Sequence, residues 1–159
     1  MAVLDILHEP HPILRQVARP VEEVTDEVSR LLDDMAETMY AAHGVGLAAP
    51  QVGQSLRIFV VDVAPPGEPR WLLEFVNPDI FLRVDEPELG TEGCLSVPDS
   101  LVDVRRHRRI AVRALDRRGN HFELWAVGFL ARAIQHENDH LDGVLLVDHG
   151  PTRPRKRRK

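Results

Sequence analysis

The sequence predicts an α+β domain built mainly from antiparallel sheet. Three observations lead there. Two stretches with helical spacing of apolar residues lie far apart, DEVSRLLDDMAETMYAA (26–42) and GFLARAIQHENDHLDG (128–143). Strand-like runs fill the interval between them instead of alternating with helices. Two of those runs flank RRGN, a hairpin signal built on Gly119 and Asn120. At 159 residues the chain is long enough for one domain with a buried core.

Residues 1–20 contain Pro10, Pro12 and Pro20, so the chain starts as an extended or turning arm. Thr25 is the expected N-cap of an amphipathic helix in which Val28, Leu31, Leu32, Met35 and Met39 recur every three or four residues. That stripe reads as core rather than as a cofactor surface. Gly44 is its expected stop. Next, RIFVVDV (57–63) and LLEFVNP (72–78) read as strands around the turn-rich APPGEPR. Further strand pieces are expected at 79–84 and around 88–95, then RIAVRALD (109–116) and HFELWAV (121–127). The late helix places Leu130, Ala133, Ile134, Glu137 and Leu141 close to one face, with His136 and His140 on the adjoining stripe and Gly143 as its stop.

Composition narrows the function classes. Hydrophobic residues make up 43% and charged residues 28%, ordinary values for a globular protein. No apolar run reaches the roughly 18 residues that span a bilayer. The start, MAVLDILHEPHPILR, has no basic leader, which argues against a secretory signal. One cysteine, Cys94, excludes an internal disulfide framework, so a cytoplasmic location is expected. The last nine residues, PTRPRKRRK, carry six cations and no acid. Residues 1–150 then hold 14 basic and 25 acidic side chains, a formal charge of −11. An acidic body of this kind speaks against general DNA binding. Residues 1–150 are expected to form the domain, and 151–159 a basic, disordered tail.

The motif QHENDHLDG (135–143) carries the chemistry. Four helical residues turn through about 400°, so His136 and His140 point the same way, roughly 6 Å apart in rise. Both can reach one divalent metal at about 2.0–2.1 Å. Glu137 points to the flank, from where a carboxylate can take a proton from an activated water and later deliver it. This is the mechanical sense of H-E-x-x-H, which on its own indicates a metalloprotease. A catalytic site needs a third ligand and one open position. Cys94, in EGCLS, would complete a Cys-His-His set, although a lone cysteine is more often a small core residue. GVGLAAPQVG (44–53) superficially fits G-x-G-x-x-G/A. It follows a helix rather than a strand and lacks a surrounding βαβ unit, so a dinucleotide site is rejected. Its glycines and alanines instead leave main chain open to a substrate, with Gln51 as an amide donor.

Three blocks in order, GVGLAAPQ (44–51), EGCLS (92–96) and QHENDHLDG (135–143), closely resemble peptide deformylase. The resemblance extends more loosely over residues 4–148 and includes VARPV (17–21) and the VRALDRRGN hairpin. It implies hydrolytic removal of the formyl group from the formylmethionine of nascent chains. Cys94, His136 and His140 would hold one divalent metal, commonly Fe(II), with Zn, Ni or Co also suited to these ligands. Glu137 would be the general acid/base. The Gln51 side chain and the Leu95 backbone N–H would stabilise the oxyanion. Backbone near Gly46 would contact the peptide, while Val45, Glu92, Phe129 and Ala133 would wall the methionine pocket. Glu92 is also expected to pair with Arg106.

The chain departs from the family at its end, at Leu101 and at Asn138. The position of Asn138 is commonly apolar in relatives, and little effect is expected there because it does not face the metal. Many members carry about twenty further residues after this helix, whereas here Pro151 and Pro154 precede RKRRK. Such extensions can dock on the ribosome, and a basic tail would do so through phosphate contacts. Leu101 stands where many members carry an arginine that helps hold the peptide. Two rival readings are a zinc endopeptidase, which leaves EGCLS and GVGLAAPQ idle, and a ribosome-bound protein that keeps the fold without catalysis.

Overall fold

The computed structural model describes residues 2–156. Its largest layer is a five-stranded antiparallel sheet in the order β1-β2-β3-β6-β7. These strands are β1 (Gly46–Ala48), β2 (Ile58–Val61), β3 (Leu73–Val84), β6 (Arg109–Leu115) and β7 (His121–Val127). A second sheet, β4-β5-β8, contains β4 (Glu88–Cys94), β5 (Val97–Arg106) and β8 (Arg153–Pro154). The helices are α1 (Asp26–Ala41) and α2 (Gly128–Leu141).

The core sits on both faces of the five-stranded sheet, and β2 shows why. Its run IFVV is buried throughout. Phe59 and Val61 pack with Phe75, Ile110, Ala131, Ile134 and Leu141 on the α2 side. Ile58 and Val60 pack with Leu32, Met35, Met39 and Leu47 on the α1 side. A strand covered on both faces has no reason to alternate, hence the unbroken apolar run.

α1 begins where expected. Thr25 Oγ1 accepts from Val28 N at 3.4 Å, and Asp26 and Glu27 occupy the first turn, where the helix dipole favours negative charge. The left-handed residue that ends it is His43 (φ 57°), one before the expected Gly44, and Gly44 N donates to Met39 O at 2.9 Å.

Several expectations need correction. The two runs at 72–84 are one strand, β3, kept continuous across register shifts between Val76 and Asp79 and between Ile80 and Leu82. The stretch 97–106, which sequence patterning left unassigned, is β5. Part of the 44–53 segment, expected as open main chain, is the edge strand β1, followed by a 3-10 turn at Ala49–Val52. The tail, expected to be disordered from 151, contributes β8, with Ser100 opposite Pro154 and Leu101 opposite Arg153. Residues 157–159 of that tail lie outside the described residues.

The N-terminal arm helps hold the site together. Leu7 N donates to Gln51 O at 2.7 Å and Glu9 N to Ser96 O at 2.9 Å, so the arm ties the 3-10 turn to the β4–β5 turn. Asn77 exchanges two 2.8 Å hydrogen bonds with the backbone of Val21, fixing the VARPV segment.

Candidate metal centre

α2 presents His136 and His140 one turn apart, with ring centroids 5.2 Å from each other. The β4–β5 hairpin turns back at Leu95 and Ser96, leaving Cys94 at the end of β4 and facing α2. One ligand atom from each of Cys94, His136 and His140 lies within 4.8 Å of the other two. Cys94 Sγ is 3.4 Å from His140 Nε2. A sulfur and two imidazole nitrogens this close, from separate elements, fit a tetrahedral transition-metal site with a position to spare.

Charges around the rings agree with that fit. Burial pushes the His140 imidazole well below its ordinary pKa, helped by the positive His136 and Arg106. Burial opposes a charge on His136 too, but Glu137, Cys94 and Glu92 outweigh it and raise its pKa. The low His140 pKa favours the neutral imidazole that a metal ligand needs, while Glu137, Cys94 and Glu92 put negative charge beside His136. Two polar atoms there, His140 Nδ1 and Glu137 Oε1, are buried without a hydrogen-bond partner among the described residues. Burial also pushes the Glu137 carboxyl up to about 7.

His136 is oriented from behind. Its Nδ1 lies 2.8 Å from Glu92 Oε1, which leaves Nε2 for the front of the site. Glu92 in turn receives two 3.0 Å hydrogen bonds from Arg106 and one of 2.6 Å from Arg132. Burial alone would raise its pKa, yet the hydrogen bonds from His136 and Arg106 hold it at about 2. Arg106 reaches on to Asp139 at 2.6 Å, and Asp139 to His149 Nε2 at 2.9 Å. This network joins β5 to β4 and α2, the two elements that carry the three candidate ligand residues. The Glu92–Arg106 pair was legible in the sequence. Arg132, Asp139 and His149 were missed. Arg132 lies four residues before His136 and Asp139 three after it, spacings that put both near the motif's own face.

Gln51 is buried beside Cys94. Its Oε1 accepts from Ala48 N at 2.9 Å, and its Nε2 donates to Ser96 Oγ at 3.0 Å and points at Cys94 Sγ at 3.8 Å. A cavity of about 430 Å³ opens in front of this group. Val45, Gly46, Gln51, Glu92, Cys94, Leu95, Phe129, Ala133, His136 and Glu137 all line it, while His140 lies behind. Most of the Glu92 carboxylate's hydrogen-bonding capacity is taken up by the network, so what Glu92 offers the cavity is chiefly its backbone and stem. A Cβ at Gly46 would run into Glu137 Oε2, so only glycine admits this carboxylate against β1.

The family model described as polypeptide deformylase matches residues 3–157. The chain is 52% identical over 157 residues to the peptide deformylase of Alkalilimnicola ehrlichii, covering 99% of this chain and 87% of that one. It is 50% identical to the peptide deformylase of Phenylobacterium zucineum, over 94% and 88% of the two chains. Among solved structures, a peptide deformylase from Legionella pneumophila superposes with a TM-score of 0.88 at 43% identity, covering 94% of this chain and 87% of that one. One from Synechococcus elongatus, determined in complex with actinonin, gives 0.86 at 42% identity, covering 92% and 78%. With the resembling blocks meeting in one cavity and these relatives matching almost the whole chain, the protein belongs to the polypeptide deformylase family, metal-dependent hydrolases that remove the N-terminal formyl group from nascent polypeptides.

Proposed function

We propose that Cys94, His136 and His140 hold one divalent ion, and that Glu137, Gln51 and Leu95 carry out deformylation beside it. One observation supports this above all: the three ligand atoms lie within 4.8 Å of one another, and Glu137, whose buried Oε1 has no partner among the described residues, lines the same cavity. Fe(II) is the proposed native metal, since thiolate and imidazole suit it; Zn, Ni or Co would take the same ligands in a purified sample. When bound, the ion supplies Lewis acidity that activates water and polarises the formyl carbonyl.

The remaining steps belong to the chain's own groups. Glu137 takes a proton from the attacking water as oxygen adds to the formyl carbon. It returns the proton to the amine nitrogen as the C–N bond breaks, releasing formate and a free N-terminus. The Gln51 amide and the Leu95 backbone N–H donate to the developing oxyanion, and such preorganised donors are worth about 3–4 kcal/mol each. The Gln51 Oε1 bond to Ala48 fixes which way that amide faces. Val45, Phe129 and Ala133 wall the methionine side chain, with Glu92 bracing the wall from behind. Among the described residues β1 pairs with β2 on one side only, so an extended peptide can add along its other edge near Gly46.

We assign catalysis to a single domain, acting in the cytoplasm on formylmethionyl nascent chains. The four cations at 156–159 are proposed as a ribosome contact, testable by co-sedimentation of the full and truncated chains. Among the described residues no helix is long and apolar enough to cross a membrane. The deciding experiment is anaerobic purification with metal analysis and a formate-release assay on a formyl-Met peptide. We expect one metal per chain and formate release. A metal-loaded chain that leaves the formyl peptide intact would contradict the proposal.

A further inference from the structure

The first residues of the basic tail are fastened to the domain rather than trailing from it. Arg153 Nη1 is 2.9 Å from Asp103 Oδ1, and its Nη2 donates to Thr91 Oγ1 at 3.0 Å. One residue past β8, Arg155 N donates to Asp99 O at 2.9 Å. These anchors set where the Arg155 side chain goes, and it lines the cavity in front of Cys94, in the company of Gly93, Asp99 and Leu101. A Cβ built at Gly93 would sit 3.7 Å from Arg155 Nη1, so the guanidinium rests over the backbone one residue before Cys94.

Among the described residues, nothing pairs with that guanidinium, whereas Arg153 two residues earlier is held by Asp103 and Thr91. Leu101, opposite Arg153 in the strand ladder, brings no charge to the same wall. A cation aimed into a cavity, with its backbone pinned and its donors free, is placed to meet a ligand's acceptors. Guanidinium offers only donors. Nascent chains differ in their side chains, so the acceptors that all of them share are backbone carbonyl oxygens.

We propose that Arg155 is a substrate-binding residue: its guanidinium donates to a backbone carbonyl of the formyl peptide beyond the first residue, as that peptide leaves the cavity. This deepens the function proposed above and rests on it. The C-terminal tail thereby becomes part of the substrate site, and Arg155 brings to this wall a charge that Leu101 does not.

The test uses the full-length, metal-loaded chain and two substrates, formyl-Met amide and formyl-Met-Ala-Ser amide. Arg155→Met should raise KM for the tripeptide about tenfold, or about 1.4 kcal/mol, with kcat unchanged. Its parameters on formyl-Met amide should match the parent's, because that substrate has no carbonyl beyond the first residue. Arg155→Lys should recover part of the loss. Arg153→Ala, which loosens the anchor, should raise the tripeptide KM in the same direction by less. An unchanged tripeptide KM in Arg155→Met would overturn the inference, as would an equal rise on both substrates or a loss confined to kcat. If the parent releases no formate from either substrate, the functional reading fails together with this inference. A parent that turns over isolates the question of Arg155.

Discussion

Glu92 Oε1 sits 2.8 Å from His136 Nδ1, and the same carboxylate is gripped by Arg106 and Arg132. The proposed ligand histidine is thus oriented by an anion that is itself held in place from two further directions. Outer contacts of this kind typically control metal affinity by about 10–100-fold. We predict that Glu92→Gln weakens metal binding within that range. It also leaves the buried Arg106 and the half-buried Arg132 short of their anion, a defect that costs about 3–5 kcal/mol in comparable buried pairs. Competition with a chelator reads the first effect and denaturant unfolding the second. Unchanged metal retention would mean that the Glu92 contact does not hold His136 for the ion.

Glu137→Ala should keep the metal and lose turnover by about 10²–10⁴-fold, the range for a general acid–base group. Glu137 is absent from the ligand set, so metal content by elemental analysis should match the parent. Turnover within a few fold of the parent would remove Glu137 from the mechanism.

Gly46 tests the same carboxylate from the other side. A methyl group there would occupy the space of Glu137 Oε2, and Gly46 has an ordinary backbone conformation, so the strand itself tolerates alanine. Gly46→Ala should fold at a cost of about 1–3 kcal/mol for the overpacked methyl and bind metal, yet lose kcat because Glu137 is displaced. A Gly46→Ala variant with full kcat would show that the carboxylate works from elsewhere.

Tyr40 offers a pH prediction away from the metal. Its hydroxyl donates to Asp62 Oδ2 at 2.6 Å. Burial and that hydrogen bond push the phenol up from 10 to about 12. A raised folded-state pKa means that the neutral phenol favours the folded state. That contribution is complete below pH 10 and is lost as pH climbs through about 12. The chain has a single tyrosine, so phenolate absorbance reports this group alone. The titration midpoint should lie well above 10 and fall in Asp62→Asn. A parent midpoint at the ordinary tyrosine value would contradict the Tyr40–Asp62 contact.

Local rules made much of this legible. Thr25 with its acidic first turn, the hairpin around Gly119 and the spacing of His136 and His140 are short-range signals, and each carries its own physical cause. β5 escaped because Pro98, Asp99, Asp103 and two successive arginines disguise an alternation in which Val102, Val104 and Arg106 point inward. A buried arginine defeats a pattern that counts charge as surface, and only its partners Glu92 and Asp139 explain it. β8 was hidden for a related reason: a basic, proline-containing end reads as disordered until β5 supplies an edge. The proposed third ligand is the long-range part of the site. Cys94 and His140 are 46 positions apart, and folding, not spacing, brings them to 3.4 Å.

X-ray absorption on the zinc-loaded chain tests that convergence most directly. We predict one sulfur near 2.3 Å and two imidazole nitrogens at about 2.0–2.1 Å from the metal, with the sulfur shell lost in Cys94→Ser. A parent spectrum with no sulfur neighbour would contradict the account.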